Sequence, residues 1–196
     1  MIAMLDRRTA TEIISAIFNA PFVSLYAFVA WVLYLSAPAA PTLLLIAAIF
    51  GTVLPTGVIL YMRKKGIIRD VYASDRGTRF KPFLAALASY LAGMLLLLAV
   101  SAPRSVTALM ACYLVNTGVM TIITLKWKIS IHASGIAGPA TFFVFMLGPA
   151  MLPSLLFILP VGWARITLGA HTRDQVLAGF FLTIALTWIQ LAIYMR

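Results

Sequence analysis

Long apolar runs alternate with short polar breaks along the whole chain. The runs fall at about 13–36, 41–62, 83–101, 105–125, 133–150, 152–164 and 175–195. Most approach the ~20 residues that carry a helix across a bilayer. The pattern predicts an all-α protein, a polytopic membrane bundle of six or seven transmembrane helices forming a single domain over 1–196. The run 152–164 is short and contains Pro160, so it is expected to be tilted, kinked or partly re-entrant. Counting it as a span gives seven. Tight connections at Pro38 and Pro41, at Pro103, and at Pro149 and Pro153 leave little chain on one side. The longest polar segment is 63–81, RKKGIIRDVYASDRGTRFK. Asp6, Arg7 and Arg8 precede the first apolar run, which is too long for a signal peptide and has no small-residue cleavage site. That run is expected to be the first spanning helix.

Composition strengthens this picture. Hydrophobic residues make up 63% of the chain and charged residues 10%, with a mean hydropathy of +1.03, values that exclude an ordinary soluble domain. The formal net charge is +10. With seven spans, thirteen of the fifteen Lys and Arg residues share one side, and only Arg104 and Arg196 lie opposite. The positive-inside rule makes the rich side cytoplasmic. Basic loops of this kind attract anionic lipid headgroups. Nucleic acid is not an expected partner, because the basic residues sit in short loops between spans. The single cysteine, Cys112, lies in an apolar run and excludes an internal disulfide.

Three polar clusters, at 74–82, 126–135 and 165–175, are separated from one another by pairs of apolar runs. All three therefore return to one face of the membrane, where a bundle can bring them together. In the third, RITLGAHTRDQVLAG (165–179), Arg165 precedes His171 by six positions, and Asp174 and Gln175 follow one helical turn later. Arginine grips phosphate oxygens as a fork, and an imidazole can attack phosphorus. Either Asp174 or Gln175 can accept the hydrogen bond that frees the other ring nitrogen. In the second, Lys126, Lys128, Ser130, His132 and Ser134 gather at an expected helix start, where free N–H groups favour anions. His132 is the candidate general acid. In the first, Arg76, Arg79 and Lys81 are candidate phosphate ligands, with Asp75 placed to steer one of them. The plainer reading of each cluster is a basic anchor at the membrane interface. Metal catalysis is not expected. The five acidic residues include no carboxylate pair within one turn, and two histidines with one apolar cysteine make no zinc set.

These residues resemble the type 2 phosphatidic acid phosphatase superfamily of membrane lipid phosphatases. Its signatures run Lys-x6-Arg-Pro, Pro-Ser-Gly-His and Ser-Arg-x5-His-x3-Asp. Arg165, the five-residue gap and His171 fit the third, with Ala164 in place of its serine and Gln175 in place of its aspartate. A glutamine there also occurs in the dolichyl diphosphate phosphatase branch. The second survives as Ser130-Ile131-His132, without its proline and glycine. In the first, Lys81-Pro82 stands for Arg-Pro and Ser74 occupies the lysine position, so Arg76 or Arg79 is the candidate substitute. The resemblance spans residues 74–179 and implies metal- and cofactor-independent hydrolysis of a lipid phosphate or isoprenyl diphosphate. His171 would form a phosphohistidine and His132 would protonate the leaving group. Arg165, Ser130, Lys128 and the first-cluster bases would hold the phosphoryl oxygens. The expected setting is a prokaryotic cytoplasmic membrane, with the site on the cytoplasmic side.

Two other readings compete. A degenerate phosphatase fold would bind or transport lipid phosphates without turnover. Alternatively, Ser134 in HASG resembles the GxSG serine of rhomboid proteases, with His171 as its base, although the first glycine of that signature is absent.

Overall fold

The computed structural model describes residues 2–37, 39–70 and 76–196, with side chains described throughout except at 2–6 and 76. Among the described residues the secondary structure is helical, without strands. The helices are α1 (Ile2–Ile17), α2 (Ala20–Tyr34), α3 (Ala40–Ala48), α4 (Leu54–Lys64), α5 (Phe80–Ala99), α6 (Arg104–Lys126), α7 (Ile131–Leu147), α8 (Ile158–Thr167) and α9 (Arg173–Tyr194). A π-helical turn at Ile49–Val53 joins α3 to α4. The result is one continuous apolar helix over Ala40–Lys64. Pro55 explains the wide turn, since it lacks an N–H and its ring would clash with the carbonyl one turn back.

Among the described residues, five segments are long and apolar enough to cross a membrane: Ala40–Lys64, Phe80–Ala99, Arg104–Lys126, Pro149–Thr167 and Arg173–Tyr194. Leu95, Ile122, Leu159, Phe181 and Ile189 are exposed on the outer surface of these segments, as an integral membrane protein requires. The α7 helix is apolar and shorter, and it packs against α9, α2 and α6 at the bundle centre.

One expectation needs correction. The first apolar run is not one helix from 13 to 36. Asn19 adopts extended backbone and Pro21 opens α2, so Arg7–Ile17 and Ala20–Tyr34 meet at 52°. The α1 helix is amphipathic and lies against α8. The short run around Pro160 extends to Pro149–Thr167, long and apolar enough for the span it was expected to be. It forms a 3-10 stretch over Pro149–Phe157 followed by α8. Nine residues rising ~2 Å each and ten rising ~1.5 Å each give about 33 Å, enough to match a hydrocarbon core of ~30 Å.

Small residues let the helices approach closely, as is common in membrane bundles. A Cβ added at Gly93 would lie 2.7 Å from the Phe50 side chain. One added at Gly135 would lie 3.0 Å from Ala20. At Gly179 it would lie 2.5 Å from the backbone oxygen of Ser130, which cannot swing aside as a side chain would. This seam fixes the start of α7 against α9. Polar side chains add ties to α9: Thr183 donates to Ser134 Oγ of α7 at 2.7 Å, and Asn116 of α6 donates to Thr187 Oγ1 at 2.9 Å. Gln190 donates to Asn116 Oδ1 at 2.9 Å. The far half of the core is aromatic, with Trp31 edge-on to Phe142 at 5.0 Å between ring centroids.

Gly179→Ala is expected to cost about 1–3 kcal/mol through overpacking. The readout is a lowered melting temperature in detergent, with Ala178→Gly on the same helix as the control for propensity alone.

Candidate functional site

Each candidate side chain sits at a helix end, and the ends converge. Arg79 immediately precedes α5, and Arg165 lies in the last turn of α8. His132 lies in the first turn of α7, and His171 sits just before α9. All four are buried, at 2%, 2%, 5% and 6% relative exposure respectively. Arg79, His132 and His171 line one cavity of about 100 Å³.

The orientation of His171 follows from hydrogen-bond accounting. Thr172 caps α9 in a capping box with Gln175. The Thr172 backbone N–H donates to Gln175 Oε1 at 3.2 Å, and His171 Nδ1 lies 3.1 Å from the same oxygen. A backbone N–H can only donate, so the shared atom is the amide oxygen, and His171 carries its proton on Nδ1. The Nε2 lone pair is then free to face Arg79, whose Nη2 lies 3.5 Å away. Arg79 also donates through Nη1 to the Ile129 carbonyl at 3.1 Å, which fixes the guanidinium. Burial first, and then the Arg79 charge, pushes the His171 imidazole down to about 3. Arg165 and Lys128 add to the shift, and the Gln175 bond opposes it. The ring is therefore neutral at physiological pH, as a nucleophile must be.

His132 donates from Nε2 to the Ser15 carbonyl at 3.3 Å. Arg165 donates to the hydroxyl of the same Ser15 at 3.4 Å. Residue 15 of α1 therefore touches two site groups, a contact absent from the sequence reading. Its signal was the pair Thr11 and Ser15, small polar residues four apart, which form the fully buried edge of α1. Ser130 is buried and caps α7, its Oγ accepting from the Ala133 N–H at 3.4 Å. Its backbone N–H donates to the Gln175 carbonyl at 3.1 Å, tying the second cluster to the third. Lys128 is half-buried.

Other candidates lie apart from this group. Lys81 is exposed on the outer face of the first turn of α5, while Pro82 beside it is buried against the cavity. The buried guanidinium is Arg79, two residues before the position the resemblance marks. Asp174 is exposed one residue from Gln175, and the capping box selects Gln175 as the partner of His171. Ser74 and Asp75 lie outside the described residues, as does the side chain of Arg76. Ser134 accepts from Thr183, and the two nitrogens of His171 face Gln175 and Arg79, so no Ser134–His171 pair forms.

Comparison with protein-family models, with curated proteins and with solved structures finds no match to this chain.

The depressed basicity of His171 sets a linkage. The unfolded ring takes a proton below about 6.5 and the folded ring only near 3. This contribution to stability is therefore complete above pH 6.5 and is lost as pH falls toward 3. Nitrogen-15 spectra of histidine-labelled protein are expected to show His171 as the neutral Nδ1–H tautomer at pH 5, assigned by its disappearance in His171→Gln. A midpoint near 6.5 would refute this account.

Proposed function

We propose that the protein is an integral membrane phosphatase that hydrolyses a lipid phosphate or isoprenyl diphosphate through a phosphohistidine, without metal. One observation carries the reading: a neutral His171, held at Nδ1 by Gln175, turns its free nitrogen toward a buried guanidinium in a cavity shared with His132. The order and spacing of Arg165, His171 and Gln175, and of Ser130 and His132, support it through their resemblance to the type 2 phosphatidic acid phosphatases.

In this mechanism an entering phosphoryl group takes over the N–H groups of Arg79, Arg165 and the Ser130 hydroxyl. His171 Nε2 attacks phosphorus, the bond to the leaving oxygen breaks, and His132 gives that oxygen a proton. Water then attacks the phosphohistidine, His132 takes a proton from it, and phosphate leaves with His171 restored. The bound anion stabilises the imidazolium of His132 that the first step consumes. Preorganised donors absorb the charge that develops on the phosphoryl oxygens. The chain passes through the membrane seven times, α7 included. The convergent basic end faces the cytoplasm by the positive-inside rule, in a cytoplasmic membrane of prokaryotic type.

Purified protein is expected to release phosphate from a prenyl diphosphate or lysophosphatidate in EDTA. His171→Ala abolishes release, and His132→Ala slows it about 10²–10⁴-fold. Gln175→Ala lowers kcat while leaving KM nearly unchanged, because the Nδ1 acceptor positions the nucleophile and does not touch substrate. Activity lost with chelator, or release unchanged in His171→Ala, would sink the reading. Lipid binding with no turnover would favour a non-catalytic carrier.

Sidedness has its own test. Cys112 is buried, so Lys65→Cys supplies a single reactive thiol. A membrane-impermeant maleimide is expected to label it from the cytoplasmic side alone. Labelling from the outside would reverse the topology.

A further inference from the structure

Ser15 reaches from the first helix to two helices that carry site groups. It is fully buried on α1, four positions after Thr11, which is buried on the same face. Thr11 turns its hydroxyl back to the Arg8 carbonyl at 2.8 Å and so bonds within its own helix. Ser15 spends both of its oxygens on other helices. Its carbonyl accepts from His132 Nε2 at 3.3 Å, and its hydroxyl accepts from Arg165 Nη1 at 3.4 Å. Those partners belong to α7 and α8.

Packing fixes the turn that holds Ser15. Ile14 and Phe18 flank it and pack onto a buried cluster of Val23, Ile136 and Val161, which come from α2, α7 and α8. Phe18 also meets the Phe157 ring at 5.5 Å between centroids. The helices bearing His132 and Arg165 therefore close on the same short stretch of α1 by apolar contact. The two polar bonds then set side-chain directions.

A carbonyl only accepts, so His132 Nε2 carries the proton in its bond to Ser15. The neutral ring is the Nε2–H tautomer, the opposite of His171. A ring held in this way exchanges its other proton, the one on Nδ1. At Arg165 the guanidinium is a rigid planar fork, so restraining one Nη restrains the direction of its other N–H groups.

The geometry points to Ser15 as a positioning residue for two reaction groups at once: its backbone oxygen sets the His132 tautomer that makes Nδ1 the proton-transferring atom, and its hydroxyl aims the Arg165 guanidinium at the phosphoryl oxygens. This role rests on the phosphatase reading for what the two partners do. In the first step the Nδ1–H bond of the His132 imidazolium breaks and its proton moves to the leaving oxygen. In the second, Nδ1 takes a proton from the attacking water. The Nε2 bond to Ser15 persists through both. The helix α1 thereby joins the machinery, although neither the Arg165–His171 nor the Ser130–His132 spacing includes it.

Full-length protein in nanodiscs serves for three measurements. Nitrogen-15 spectra of histidine-labelled protein at pH 8 are expected to show His132, assigned by its disappearance in His132→Gln, as the Nε2–H tautomer. Ser15→Ala keeps the carbonyl and so keeps that tautomer. It raises KM for lysophosphatidate about tenfold, the worth of one charge-assisted hydrogen bond, and leaves kcat within about twofold. It also shrinks the rise in melting temperature that inorganic phosphate gives. Ser15→Thr, which restores the hydroxyl, returns both values toward wild type. An Nδ1–H signal for His132, or a KM and a phosphate response in Ser15→Ala equal to wild type, would overturn the role of Ser15. So would a loss in Ser15→Ala that persists in a Ser15→Thr variant melting at the wild-type temperature. Wild-type protein that releases no phosphate from lysophosphatidate would refute the phosphatase reading instead, and the tautomer and the phosphate response then decide Ser15 alone.

Discussion

Guanidinium and imidazole groups placed where water is scarce cost free energy unless their N–H groups find acceptors and their charge finds a counter-charge. Arg79 and Arg165 are as deeply buried as the bundle's core leucines. The acceptors they use include the Ile129 carbonyl and the Ser15 hydroxyl. Clustered positive charge in a medium of low dielectric keeps a neighbouring imidazole neutral and favours an anion at the same point. Both properties of the site, a basic cradle and an uncharged imidazole, arise from that one constraint. The remainder of the fold holds the helix ends close enough for it to operate.

The fastening at those ends is unusually direct. Gly179 brings α9 onto the Ser130 carbonyl, and the Ser130 N–H donates to the Gln175 carbonyl. The residue that caps α7 and the residue that orients His171 are thereby joined through backbone. Deeper in the bundle, Asn116, Thr187 and Gln190 tie α6 to α9, and Thr183 ties α9 to α7. Each such bond adds modestly in a membrane, on the order of 1 kcal/mol. Their placement beneath the cavity keeps three of its walls in register.

Much of this was legible in the sequence. Apolar run lengths located most of the long apolar helices to within a few residues, and the spacing of His171 and Gln175 isolated the pair that meets at Nδ1. The choice between Asp174 and Gln175 was also present, in the string Thr172-Arg173-Asp174-Gln175, which is a capping box. Lys81 misled because motif position was weighed ahead of helix phase. With α5 starting at Phe80, the inward direction falls on Pro82, while Arg79 precedes the helix and folds under it. The run at 152–164 counts as short because residue counting assumes α-helical rise, and a 3-10 stretch covers more distance per residue. The role of Ser15 depends on tertiary packing between residues 117 and 150 positions apart, which no local pattern encodes.

The bend after Ile17 has a chemical correlate. Phe18 donates to the Ile14 carbonyl in ordinary helical fashion, but the Asn19 N–H turns to Ala16. The oxygen of Ser15, which Asn19 would occupy in an uninterrupted helix, is thereby released, and the His132 ring takes it. In a straight helix His132 would share the Ser15 carbonyl with the Asn19 N–H, whereas the bend turns that N–H to Ala16. The kink is thus the donor of an acceptor, and the backbone's unfinished turn completes the imidazole's hydrogen bonding.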